Sequence, residues 1–197
     1  MKTILIMNQK GGVGKTLIAD ELAFALERDE IPFNFYDLDG QGSARHQATK
    51  IENAEVQIVD TAGALNEKMA DWMEHADFVI IPTMMSASDM KPLVRMIEIC
   101  DKNLMTKPVL YVFNRFNRFS VCRDFVGWFD KHFPDLKTIT LAETVAFQQA
   151  HLLGDSIVKY QPNNKVTPCE AANALLSSSV SRFGTGVRLF LILLSST

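Results

Sequence analysis

Cysteine is scarce in this 197-residue chain. Cys100, Cys122 and Cys169 are far apart and odd in number, with no C-x-x-C pair, and the four histidines are equally scattered. That spacing argues against a zinc site, an iron–sulfur site and a disulfide framework, and it fits a reduced cytoplasmic setting. Long apolar runs are missing too. The longest tract near the C-terminus, Leu189 to Leu194, is far short of the ~20 residues that span a bilayer. Met1-Lys2 leads straight into a strand-like run, without the succession of a signal peptide. Charge of one sign is also lacking: the formal net charge is −3, so the whole molecule is no evident polyanion binder. The small imbalance is unevenly spread. Residues 1–106 carry −7 and residues 107–197 carry +4. A basic half can make a local nucleic-acid footprint, and it can equally be an ordinary solvated surface.

What the chain does have is alternation. With 47% hydrophobic residues it can build one sizeable α/β domain. Strand-like runs fall at Thr3–Met7, Phe33–Leu38, Val56–Asp60, Phe78–Ile81, Val109–Phe113 and Thr138–Leu141. Several are almost wholly apolar, as strands buried on both faces of a parallel sheet should be. Helical patterns lie between them, over 15–29, 42–50, 65–75, 87–103, 120–132 and 143–153. Ile18, Leu22, Ala25 and Leu26 mark the inner face of the first. A last helix is expected from Pro168, capped by Thr167, to about Ser179. The order predicts a doubly wound, mostly parallel sheet flanked by helices. One domain over 1–176 is followed by a tail, 177–197, whose mixture of small polar residues and a short apolar burst has no clear period.

Residues 8–16 read NQKGGVGKT. The strand before it and the helix after it are the context that a phosphate-binding loop requires. Gly11, Gly12 and Gly14 let the backbone turn its N–H groups inward around Val13, and the helix dipole adds to that anion nest. Lys15 is placed to reach the β- and γ-phosphates, and the Thr16 hydroxyl to ligate Mg²⁺. Two features are unusual: Gln9 stands where the common pattern has glycine, and the loop carries a second lysine, Lys10.

KGGVGKT resembles the deviant Walker A loop of the ParA/MinD family of P-loop ATPases, closest to the small ParA-type partition proteins. The resemblance implies that Lys10 crosses a dimer interface to the partner's phosphates, so that ATP and dimerisation are linked. Asp37-Leu38-Asp39-Gly40-Gln41-Gly42-Ser43 resembles the family's DxDPQGS segment, with Gly40 in place of proline. By that pattern Asp39 orients the attacking water and Asp37 lies near the metal. Val56-Gln57-Ile58-Val59-Asp60-Thr61-Ala62-Gly63 resembles a Walker B strand and turn, in which Asp60 holds Mg²⁺ through water and Gly63 meets the γ-phosphate. Ser86 and Asp89 resemble the segment after the fourth strand. Asn114-Arg115 resembles the element that meets the base, with Asn114 bonding adenine. Residues from Ala146 through Lys165 resemble the closing segment of small ParA proteins.

The resemblance implies an ATPase that needs ATP and Mg²⁺, forms a homodimer with ATP, binds non-specific DNA and segregates plasmid or chromosomal DNA. A ParB-like partner would stimulate it, and it would associate with the nucleoid in the cytoplasm. Arg115, Arg118, Arg123, Lys131, Lys159 and Lys165 are candidate DNA contacts. Two departures stand out: only 20 residues separate Asp39 from Asp60, and the tail does not look like the expected final helix. No helix-turn-helix precedes the loop, which speaks against operator binding. A MinD-like positioning ATPase is the alternative, but the basic amphipathic helix it needs for a membrane is not evident. A metabolic relative such as a ligase or an iron-protein reductase fits less well, for want of cluster cysteines and because of Lys10.

Overall fold

The computed structural model describes residues 1–39, 44–63, 67–103 and 107–160, without the side chains of 67–70 and 158. The expected last helix from Pro168, the tail 177–197, Lys165 and the Gly40–Ser43 stretch lie outside the described residues.

Six strands form one sheet: β1 Lys2–Ile6, β2 Phe33–Asp37, β3 Val56–Asp60, β4 Phe78–Thr83, β5 Val109–Phe116 and β6 Lys137–Ala142. Their order is β2-β3-β1-β4-β5-β6, and every pairing is parallel. The helices are α1 Lys15–Arg28, α2 Glu67–His75, α3 Ala87–Asn103, α4 Ser120–His132, α5 Val145–Leu153 and the single turn α6 Ile157–Tyr160.

Strand alternation sorts the core onto two faces. Ile4, Ile6, Phe35, Ile58, Ile80 and Val112 point toward α1 and meet Ile18, Leu22 and Leu26. Leu5, Met7, Val59, Val79, Ile81 and Phe113 point the other way, against Met73 of α2, Leu93, Met96 and Ile97 of α3, and Phe125 and Phe129 of α4. Both faces are covered, which is why the strands read as continuous apolar runs. Ile18, Leu22 and Leu26 are each 2% exposed or less. At roughly 1.5–3 kcal/mol per buried side chain, they weld α1 to the sheet.

One expected helix does not form. Residues 44–50 make bends and an isolated antiparallel bridge of Thr49 to Phe35, with Phe35 N–H donating to Thr49 O at 3.2 Å and Thr49 N–H to Phe35 O at 3.1 Å. The Asn34 carboxamide oxygen accepts Ile51 N–H at 2.6 Å. Asp20 of α1 accepts the backbone N–H groups of Arg45 and His46. These tertiary partners outbid a short helix of mixed propensity. The segment covers part of the outer edge of β2, an edge that would otherwise offer unpaired backbone groups.

Candidate functional site

Ligands of open parallel sheets lie beyond the carboxyl ends of the strands, near the point where the chain switches direction. Here that point is at β1: the chain moves outward to β2 and β3 on one side of it and to β4 on the other. Register places Ile6 beside Asp60 and Asp60 beside Asp37 in one row at this edge. The loop 8–14 leaves the same edge and becomes α1.

The loop is held from below. Asn8 is buried; its Nδ2 donates to Pro82 O at 2.7 Å, and its Oδ1 accepts Lys10 N–H at 2.9 Å. Gly12 and Gly14 have φ of +73° and +97°, a left-handed region that suits glycine. No side chain caps α1 at Gly14, so no side chain takes its first-turn N–H groups, which suits an anion. Lys15 is 5% exposed. Gly63 packs against the loop: a Cβ there would stand 3.2 Å from the Gln9 carbonyl oxygen.

The carboxylates gather beside it. Thr16 Oγ1 donates to Asp60 Oδ2 at 2.6 Å, whereas Asp60 Oδ1 is buried with no hydrogen-bond partner. Burial pushes the Asp60 carboxyl up to about 7. The Thr16 hydroxyl and Lys15 oppose that rise, and Asp37 and Asp39 add to it. Asp39 N–H donates to Asp37 Oδ1 at 2.9 Å, and Leu38 N–H to Asp60 O at 2.8 Å. Among the described residues no three His, Cys, Asp or Glu side chains form a ready-made metal cluster, but a buried carboxylate oxygen left bare, with two further acids near it, suits a hard cation with oxygen ligands. Thr16, Asp37 and Asp60 therefore fit Mg²⁺.

Lys10 turns away from this cluster. Its Nζ lies 2.5 Å from Asp89 Oδ1 and 3.0 Å from Ser88 Oγ, at the start of α3. Asp89, 1% exposed, also accepts Ser86 N–H at 3.2 Å and the Ser86 hydroxyl.

On the other flank Asn114 and Arg115 sit where β5 and β6 lose register between Phe113 and Phe116. Asn114 is buried beneath the loop. Its Nδ2 donates to Val13 O at 3.0 Å, and its Oδ1 accepts Arg115 N–H at 2.9 Å. Arg115 adopts φ +58°, rare for a residue with a Cβ. A cavity of about 300 Å³ opens here, lined by Gly14, Leu17, Asn114, Thr144, Phe147 and His151 among others. A second, of about 490 Å³, runs past Lys10, Met85, Asp89, Arg115 and Phe119.

The loop 8–14, Lys15, Thr16, Asp37, Asp60, Gly63 and Asn114 thus lie at one sheet edge, with Lys10 and Arg115 at its margins, whereas Arg123 and Lys131 lie on α4 and Lys159 on α6. Sequence reasoning missed the role of Asn8 as the loop's strut and named Asp89 without a partner. Asn8 had one visible signal, a polar residue directly after an apolar strand. Asp20 and His46, which fix the chain beyond Asp39, had none.

A parallel sheet with a glycine loop between its first strand and first helix, and acids along the adjoining edge, defines an α/β fold of the P-loop nucleotide-binding kind. The CbiA family, the CobQ/CobB/MinD/ParA nucleotide binding domain, matches residues 4–149, and the chain belongs to it. No curated protein matches it. Among solved structures, apo McdA of Cyanothece is similar with a TM-score of 0.71 at 17% identity, over 84% of this chain and 95% of that one. The septum site-determining protein MinD of Pyrococcus horikoshii, complexed with Mg-ADP, gives 0.63 at 15%, over 84% and 90%. A plasmid partition protein of Borrelia burgdorferi gives 0.61 at 17%, over 81% and 94%. At such identities the likeness speaks to the fold. Among the described residues no helix is long and apolar enough to cross a membrane.

Proposed function

We propose that the chain is a ParA-type partition ATPase. It binds ATP with Mg²⁺, hydrolyses it slowly until a ParB-like protein stimulates it, and forms an ATP-dependent homodimer. That dimer holds DNA without sequence preference on the nucleoid and moves plasmid or chromosomal DNA. The observation that carries this reading is the division of labour between two lysines of one loop. Lys15 is buried at the foot of α1, within the acidic cluster's reach, while Lys10 is held on the opposite side by Asp89. A second loop cation that lies outside the nest and is parked on an acid at the start of α3 suits a task in another molecule.

Each residue then has a task. Backbone N–H groups of Gly11, Gly12, Val13 and Gly14 cradle phosphates, and Lys15 neutralises them. Thr16, Asp37 and Asp60 hold Mg²⁺, which when bound offsets the charge on the transferring phosphoryl group. Asp39 orients the attacking water, and Gly63 lies against the loop where the γ-phosphate ends. Lys10 leaves Asp89 for the phosphates of the twin chain, as an arginine finger does. Asn114 and Arg115 border the base cavity. Asn114 is the strut under Val13, and its second Nδ2–H and the other lone pair of Oδ1 remain for adenine. Arg115, Arg118, Arg123, Lys131 and Lys159 are exposed and supply the charge for DNA phosphates.

The test is molar mass by size exclusion with light scattering, with ADP and with a non-hydrolysable ATP analogue. A doubling of mass with the analogue alone, and DNA retention that falls steeply with salt, are expected. A chain that stays monomeric at high concentration with the analogue, or retains no DNA at low salt, contradicts the reading.

A further inference from the structure

Asp20 lies in the middle of α1 and is fully buried. Its carboxylate is spent on a segment remote in sequence. It accepts Arg45 N–H at 2.9 and 3.0 Å and His46 N–H at 3.0 Å, and it meets His46 Nδ1 at 2.7 Å. The His46 ring is walled by Phe24, at a centroid distance of 4.5 Å, and by Phe35, at 5.6 Å. This clamp stands a few residues past Asp37 and Asp39. The near end of that stretch is fixed by Leu38 N–H on Asp60 O and Asp39 N–H on Asp37. Its far end is fixed by Asp20.

We propose that Asp20 and His46 are positioning residues for hydrolysis: they anchor the far end of the stretch that carries Asp39, and the anchor tightens when His46 is protonated. The inference rests on the proposed ATPase reading for its consequence, though not for the anchor itself.

The electrostatics give the direction. Burial alone pushes the His46 imidazole down, but the Asp20 carboxylate and Glu27, whose Oε1 lies 3.4 Å from Nε2, outweigh it and raise it above its ordinary value. Among the described residues, the other charged or titratable groups facing this cluster are His151 of α5, with Nδ1 3.9 Å from Asp20 Oδ2, and Glu21 of α1, 3.5 Å from His151 Nε2. Arg45 lies on the clamped segment with its side chain outward. An imidazolium here compensates a carboxylate that has no exposure to water. A neutral ring leaves that carboxylate held by two backbone N–H groups and the one bond the ring can still donate. For a group whose folded value is raised, the contribution is complete below the unfolded value, near 6.5, and is lost as pH rises through the higher folded value.

The experiment follows the full-length chain by NMR between pH 5.5 and 9. It reads the His46 ring and the exchange protection of the Arg45 and His46 amides, alongside ATP turnover over the same range. In wild type, protection of those two amides should fall about tenfold as the ring titrates. The turnover number kcat should fall with the same midpoint, while KM stays within about twofold. His46→Gln retains a donor for Asp20 but cannot titrate, and both steps should vanish. Protection that stays constant through the His46 titration overturns the anchor, with or without hydrolysis. A pH step in kcat that persists in His46→Gln overturns its link to turnover. Titrating protection in a chain that hydrolyses no ATP upholds the anchor and places the failure in the ATPase reading.

Discussion

Thr16 Oγ1 donates to Asp60 Oδ2 at 2.6 Å, joining the first turn of α1 to the end of β3 and leaving Asp60 Oδ1 bare. On the ATPase reading proposed above, this hydrogen-bonded pair holds the cation. Thr16→Val and Asp60→Asn should each lower Mg²⁺-dependent ATP affinity by about 10–100-fold. Calorimetry with magnesium and with EDTA checks it. The variants and wild type should converge in EDTA, because only the metal-linked part of binding is removed.

Lys15 and Lys10 should separate binding from assembly. Lys15→Ala removes the cation buried at the foot of the nest, and nucleotide binding should disappear. Lys10→Ala removes a side chain that points at Asp89, outside the nest. ATP affinity should stay within about threefold of wild type. The dimer with a non-hydrolysable analogue, or hydrolysis itself, should be lost. Asp89 keeps the Ser86 N–H and hydroxyl but loses its cation, so the Lys10→Ala chain should fold with reduced stability.

Asp39→Ala should trap an ATP-bound dimer. Asp39 is not a strut, since its N–H holds Asp37 through the backbone and survives the substitution. Analytical ultracentrifugation with ATP should show a dimer that persists after wild type has returned to monomer. Rapid turnover by Asp39→Ala removes that residue from the mechanism.

The strands and the phosphate loop were legible because their causes are local. Val56–Asp60 is apolar up to the acid that ends it, and burial on two faces makes such a run unmistakable. Limits were less visible: β5 continues past Phe113 to Phe116 because a bulge lets Asn114 turn under the loop, a tertiary need with no sequence mark. The helix expected over 42–50 failed for the same kind of reason. Its backbone donors at Arg45 and His46 go to Asp20, about 25 residues upstream, and no periodicity records such a bond. Lys10 was expected to point away from the nest, and its side chain lies on Asp89; naming Asp89 as its holder required three-dimensional adjacency between the loop and α3.

The first strand should show a small acid-sensitive tether. Asp77 accepts Lys2 Nζ at 2.7 Å and Thr3 N–H at 2.9 Å. Burial would raise its carboxyl, but Lys2 and the Thr3 N–H outweigh that and hold it below the ordinary value. The unfolded chain then binds more protons at low pH. The tether's contribution is present above the unfolded value, near pH 4, and is lost as pH falls through the folded one. The pair is well exposed, so screening limits it. Asp77→Asn should cost under about 1 kcal/mol at pH 7 and nothing measurable near pH 2–3. Urea unfolding at both values checks the sign.

Gly14→Ala should be the most damaging single methyl in the loop, for two separable reasons. At φ +97° an L-residue is strained by about 1–2 kcal/mol. The new Cβ would also collide with the Asn114 amide nitrogen. That amide cannot simply swing aside, because it is buried and donates to Val13 O at 3.0 Å. Total destabilisation of about 2–4 kcal/mol is expected, with nucleotide binding lost. Asn114→Ala removes the obstacle and the Val13 bond but leaves the strain. The double variant should therefore fall short of the summed single costs by about 1 kcal/mol or more. Denaturant unfolding of the four chains measures that coupling. Strict additivity would mean that Asn114 does not sit under the loop, and the strut assigned to it would have to be abandoned.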